Sequence, residues 1–188
     1  MARTPSNMIP LGTALPEFEL EDTVSGKIFS SAGLHDSKAS VIMFICNHCP
    51  YVKHVNPELV RLAGDYFAKG VRFVAISSND VANYPEDSPE KMKEVAVSLH
   101  YPFPYLYDET QEVAHRFDAA CTPDFYVFDH RQKLVYRGQL DDSRPSLDLP
   151  LTGKDIREAL NNILLGKPVS ELQRPSIGCN IKWKIVPV

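Results

Sequence analysis

The run Val41-Ile42-Met43-Phe44-Ile45, followed without a break by Cys46-Asn47-His48-Cys49-Pro50, constrains the fold more than any other stretch. A continuous apolar run of strand length, rich in β-branched residues, suits a central strand buried on both faces. After Pro50, residues Val52, Val55, Leu59, Leu62, Ala63 and Phe67 recur at helical steps until Gly70 stops the pattern. Pro57 is expected to kink this helix. A buried strand feeding directly into a helix is the unit of α/β architecture, and reactive groups in such sheets gather where strands end and helices begin. Cys46 and Cys49 lie at such a junction.

The rest of the chain extends the same alternation. Leu15–Leu20 and Lys27–Phe29 flank turn residues and read as a hairpin-like edge, a lid or an extension. Val71–Ser77 is a second buried strand, followed by a polar loop from Asn79 to Pro89. Ser88-Pro89 opens a helix to about Leu99, Tyr105–Tyr107 is a short strand, and Thr110–Phe117 a short helix. Phe125–Phe128 and Leu134–Tyr136 form strands around a turn, and Thr152-Gly153-Lys154-Asp155 caps a last helix, Ile156–Leu165. The expected fold is α/β: a mixed central sheet with helices on both faces, an N-terminal β extension and a C-terminal tail. With 188 residues, 44% of them apolar, one domain over 1–188 is expected, its core over about 14–166 and its tail over 167–188.

Composition removes several classes of function. A net charge of -4 leaves no basic stripe to select a phosphate backbone, so nucleic acid is not an expected partner. The longest apolar stretch, Val41–Cys46, falls far short of the roughly 18 residues of a membrane span. Nor does an apolar segment follow Met1–Asn7, so a cytoplasmic location is expected.

In a reducing compartment, four cysteines direct attention to their spacing. At a helix N-terminus the unpaired N–H groups favour thiolate over thiol, and a thiol three residues away can close a small disulfide. Cys46, at or before the helix start, is expected to be the more exposed, lower-pKa attacking thiol and Cys49, one turn inside, the buried resolving partner, with His48 adding positive charge. The alternative is a soft-metal or zinc site built from Cys46, His48 and Cys49, completed by Cys179, Cys121 or His54. The strand-to-helix context favours redox use, because structural zinc knuckles usually lie between short strands. No cofactor is expected.

The segments FICNHCPYVKH, SNDVANYPEDSPEKM, FPYLYDETQEVAHRFDAACTPDFYVFD and PSIGCNIKW together resemble thioredoxin-like redoxins of the alkyl hydroperoxide reductase/thiol-specific antioxidant group, in one uncharacterised bacterial subfamily, from about Leu15 to Lys184. The resemblance implies a thioredoxin-like fold in which Pro123 is cis and packs on the CxxC. It also implies a docking groove in which Thr122 offers its backbone to a thiol substrate, with Asn47 beside it. Implied partners are protein or small-molecule disulfides and thiols, and an external reductant such as a thioredoxin system. Two departures stand out. The thioredoxin Trp-Cys-Gly-Pro-Cys is absent, the only tryptophan being Trp183, and Cys46 stands where peroxiredoxins carry Thr before their Cys-Pro. The thioredoxin register therefore points to Cys46 as the attacking thiol and the peroxiredoxin register to Cys49.

The expected activity is thiol–disulfide exchange through a mixed disulfide. The enzymatic alternative is a thiol peroxidase, in which Cys49 or Cys46 becomes a sulfenic acid resolved by its neighbour or by Cys179. Cys121, next to Thr122-Pro123, is a third redox thiol or a small buried hydrophobe. Cys179 lies beyond the last helix, where Gly178 allows a turn that would bring its thiol back over the site. His35, His100, His115 and His130 are expected to be solvated or hydrogen-bonded, and Asn79-Asp80 to cap a loop.

Overall fold

The computed structural model describes residues 3–185, so Met1, Ala2 and residues 186–188 of the expected tail lie outside the described residues. The strands are β1 (Thr4–Pro5), β2 (Glu19–Asp22), β3 (Ile28–Ser30), β4 (Ala39–Phe44), β5 (Val71–Ser77), β6 (Tyr105–Tyr107), β7 (Cys121–Thr122), β8 (Asp124–Asp129), β9 (Leu134–Gly138) and β10 (Ile177–Asn180). The helices are α1 (Pro50–Phe67), α2 (Pro89–Ser98), α3 (Glu112–Arg116) and α4 (Lys154–Leu164). Among the described residues, no helix is long and apolar enough to cross a membrane.

A mixed sheet runs in the order β3-β2-β6-β5-β4-β8-β9. β4 is parallel to β5 and antiparallel to β8, so the apolar run at Val41 is central, and every residue of the strand is buried. Its alternation divides the core. Val41, Met43 and Ile45 face Leu59 and Leu62 of α1, Met92 of α2 and Ile156 and Leu160 of α4. Ile42 and Phe44 face the opposite way, toward Val113 and Ala114 of α3, Phe117, and Phe18 and Leu34 of the N-terminal extension. Helices therefore cover both faces, as the alternation predicts. The N-terminal hairpin lengthens the sheet, because β2 pairs with β6 as well as with β3.

Proline decides where α1 starts. Pro50 has no N–H to leave unsatisfied and its φ suits the first helical position, so the helix begins there and Cys49 becomes its N-cap. The expectation that Cys49 lies one turn inside the helix is corrected accordingly. The helix continues through Pro57 to Phe67.

A second sheet, in the order β1-β10-β7, has no counterpart in the sequence reading. Its strands carry no apolar run, and their partners lie far apart in the chain. It brings the tail back onto Cys121–Thr122, with Cys179 opposite Thr122. Gly178 permits that approach: a Cβ there would sit 1.9 Å from the Thr122 carbonyl oxygen.

Candidate active site

Between the end of β4 and the start of α1, residues 45–49 cross the edge of the sheet as a short turn. The facing wall comes from β7 and β8, joined by a cis Thr122–Pro123 peptide. Cys46 Sγ lies 3.4 Å from Thr122 Oγ1, and Cys49 Sγ lies 3.2 Å from the Thr122 carbonyl oxygen. A third sulfur completes the group, with Cys179 Sγ 3.0 Å from Cys49 Sγ. Cys46 is 2% exposed, Cys49 0% and Cys179 2%, and none of the four cysteines is in a disulfide.

The electrostatics separate the paired thiols. A hydrogen bond with Cys49, then burial, then the charge of Asp87 push the Cys46 thiol well above its ordinary value. The same hydrogen bond, donated by Cys46, is the main reason that Cys49 is lowered to about 5. Donation from Cys179 and the Val52 N–H at the start of α1 add to it, against the opposing effect of burial. The shared hydrogen bond thus acts oppositely on the two thiols, raising Cys46 and lowering Cys49. The Thr122 carbonyl accepts from Cys49 only while that thiol is protonated. Both thiols are buried, whereas Cys46 was expected to be the more exposed, and the shifts run opposite to the expected order: the hydrogen bond between them comes first, then burial and the Asp87 charge raise Cys46, while donors from Cys179 and Val52 help lower Cys49.

That carboxylate, Asp87, organises the turn. Fully buried, it accepts from the Asn47 N–H at 2.8 Å, the His48 N–H at 3.3 Å, His48 Nδ1 at 2.6 Å and Asn79 Nδ2 at 2.7 Å. Burial works to raise its pKa, but the hydrogen bonds from His48, Asn79 and Asn47 outweigh it and hold the carboxyl below its usual range. In return the Asp87 hydrogen bond raises the His48 pKa despite partial burial. His48 stacks on Tyr84 with ring centroids 5.5 Å apart.

Other expected site residues take different places. Asn47, grouped with the docking residues by sequence, is used internally: its Nδ2 donates to the Glu86 carbonyl at 2.9 Å and its Oδ1 accepts from buried Tyr105 Oη at 3.1 Å. The Thr122 backbone, expected to be open to a substrate, is covered by β10. Cys121 is buried and donates to the Pro123 carbonyl at 3.7 Å, and burial pushes its thiol up strongly. His54 pairs with Ser143 Oγ at 2.6 Å, and His115 stacks on Trp183.

Asp87, Tyr84 and Tyr105 were not singled out from the sequence, and Asn79, read there as a loop cap, binds Asp87 and accepts from the Lys182 N–H at 2.9 Å. The position of Asn79 just after a buried strand was the available signal. Asp87, 39 residues from His48 in a polar loop, offered no spacing to read.

Ligand atoms of Cys46, His48 and Asp87 lie within 4.8 Å of one another, the one such group among the described residues. Asp87 already directs its oxygens to four donors, so a cation there would have to displace His48 from it.

Replacing Asp87 by Asn is expected to lower the His48 pKa toward the ordinary value of about 6.5 and to lower that of Cys46 as well, because the negative charge favouring imidazolium and disfavouring thiolate is gone. A ring-proton NMR titration of His48 checks this. An unchanged titration would show that Asp87 does not govern the histidine.

Comparison with known proteins places these features in a family. A profile described as the AhpC/TSA family matches residues 11–137, which include Cys46, Cys49 and Thr122–Pro123 but not Cys179. No curated protein matches the chain. An uncharacterized conserved protein from Geobacillus kaustophilus is 61% identical, with 100% of this chain and 99% of that one covered and a TM-score of 0.97. A hypothetical protein from Sinorhizobium meliloti 1021 is 45% identical over 97% of this chain and 100% of its own, with a TM-score of 0.95. A thiol:disulfide interchange protein of the thioredoxin family from Chlorobium tepidum TLS is 18% identical over 81% of this chain and 97% of its own, and its TM-score of 0.63 shows the shared fold. With a mixed sheet, a cysteine pair at the strand-to-helix edge and a cis-proline facing it inside the matched region, the chain belongs to the AhpC/TSA family of thioredoxin-fold redoxins.

Proposed function

We propose that the protein is a thiol–disulfide oxidoreductase in which Cys49 attacks and Cys46 resolves. The supporting observation is the place of Cys49 as the N-cap of α1, next to the Cys179 sulfur at 3.0 Å, where the hydrogen bond from Cys46, with help from Cys179 and the Val52 N–H, lowers it to about 5 and favours it as the nucleophile at neutral pH. Cys49 thiolate attacks one sulfur of a substrate disulfide and expels the other as a thiolate, forming a mixed disulfide. Cys46 then gives up its proton and attacks Cys49 Sγ, releasing the second substrate thiolate and leaving a Cys46–Cys49 disulfide. Two electrons pass from the pair to the substrate, and an external dithiol, such as a thioredoxin system supplies, returns them. His48, anchored by Asp87, supplies positive charge beside Cys46 as that thiol ionises.

A second reading rests on Cys49-Pro50 being both the peroxiredoxin register and the lowered thiol. Hydrogen peroxide would oxidise Cys49 to a sulfenic acid, and Cys46 would condense with it, releasing water.

The test is single-turnover oxidation of the reduced protein by a small aromatic disulfide, and separately by hydrogen peroxide, across pH. Below about 5 Cys49 is protonated, so the rate with the disulfide should fall about tenfold per pH unit there and level off above. A midpoint near the ordinary thiol value of about 8.5 removes Cys49 thiolate as the nucleophile. Rapid oxidation by peroxide without reaction at the disulfide selects the second reading.

A further inference from the structure

We infer that Cys179 is an internal exchange partner of Cys49, so that the disulfide formed between Cys46 and Cys49 transfers to Cys49 and Cys179 and returns Cys46 to the thiol state. The inference rests on the proposed oxidation of the Cys46–Cys49 pair and adds a second location for the disulfide, on a segment outside the region that the family profile matches.

Placement of Cys179 is specific. Sγ of Cys179 is 3.0 Å from Sγ of Cys49, with both side chains shielded from water. Strand pairing puts Cys179 opposite Thr122, the residue whose side chain also touches Cys46. Gly178 alone lets the tail approach that closely, since any Cβ would collide with the Thr122 carbonyl. Anchors hold the tail on both sides of the cysteine. Before it, Ser176 Oγ donates to the Pro123 carbonyl at 2.5 Å, and the Ser176 N–H donates to Ser6 Oγ at 2.8 Å. After it, the Ile181 N–H donates to the Ala120 carbonyl at 3.1 Å, and the Lys182 carbonyl accepts from the Asp80 N–H and from Gln111 Nε2, each at 2.8 Å. A buried cysteine held this way, against the sulfur that both neighbours share, has Cys49 as its reaction partner.

The transfer balances without any outside oxidant. Cys179 gives up its proton and attacks Cys49 Sγ, the Cys46–Cys49 bond breaks as the Cys49–Cys179 bond forms, and the departing Cys46 thiolate takes a proton. One disulfide is lost and one gained, and no electrons leave the protein. Burial, then the hydrogen bond to Cys49, hold the Cys179 thiol up at about 12, so it stays protonated until a leaving thiolate can accept the proton.

Time-resolved disulfide mapping of the full chain tests this. Reduced protein receives one equivalent of the azo oxidant diamide, which takes two electrons, and is quenched in acid, alkylated and peptide-mapped by mass spectrometry. The Cys46–Cys49 linkage should appear first, and the Cys49–Cys179 cross-link should rise as it declines with no change in thiols per chain. In Cys46→Ser, diamide should produce the Cys49–Cys179 cross-link directly. If the Cys46–Cys49 linkage forms and the cross-link appears in neither protein, the transfer is overturned and the proposed function stands. If no Cys46–Cys49 linkage forms in the unaltered chain, both fall together.

Discussion

Replacing Cys49 by Ser abolishes disulfide reduction to the uncatalysed background, whereas a chain with both Cys46→Ser and Cys179→Ser still attacks and accumulates as a mixed disulfide with its substrate. A serine at 49 cannot ionise in the range where the thiolate forms, and neither neighbouring thiol takes over, because Cys46 is raised by burial and the Asp87 charge and Cys179 by burial. The double variant keeps the nucleophile and removes the two sulfurs placed to attack it. Its adduct is read as the mass of substrate retained on the intact protein. The opposite pattern, background activity on loss of Cys46 and a stable adduct on loss of Cys49, would restore the thioredoxin register and overturn the assignment made from the thiolate position.

The second large effect is on stability. Phe117 is fully buried and packs edge-on against Phe44 and Tyr126, each with ring centroids 5.3 Å away, and against Phe18 and Phe128 at 6.2 and 6.0 Å. Phe117→Ala should cost about 3–5 kcal/mol, the lost transfer of a phenyl ring plus the cavity left in a close-packed cluster. For a chain of this size that lowers Tm on the order of 10 °C. The substitution bears on the site too. Phe44 ends the strand that leads to Cys46, and Tyr126 lies on the strand that follows Pro123, so Phe117 braces both walls from the face opposite α1. Urea unfolding measures the cost. A loss below about 1 kcal/mol would mean that the neighbouring rings collapse into the space and that Phe117 braces neither strand.

Central elements of the fold were legible because their patterns are local. The β4 run, the helical spacing after Pro50, the Val71–Ser77 strand and the Leu134 hairpin each declare themselves within one element, and the structure places strands or helices at all of them. The place of Cys49 relative to α1 was less legible: Pro50 at the first helical position makes Cys49 the N-cap instead of a residue one turn inside. β1, β7 and β10 were not legible because no apolar run marks them and their pairing partners lie far apart in the chain.

By itself, the sequence determined that a cysteine pair would stand where a buried strand meets a helix, and that Thr122-Pro123 belonged with it by resemblance. Tertiary structure decided the charges. The hydrogen bond between the paired thiols and the Val52 N–H are local, but the tilt between the two sulfurs also depends on the charge of Asp87 reaching Cys46 from a distant loop and on Cys179 arriving from the tail through a strand that Gly178 allows to lie so close. A thiol's pKa is set by water exclusion and by donors and charges within a few ångströms, and the distant ones, Asp87 and Cys179, are brought there by folding from residues that share no local spacing with the pair.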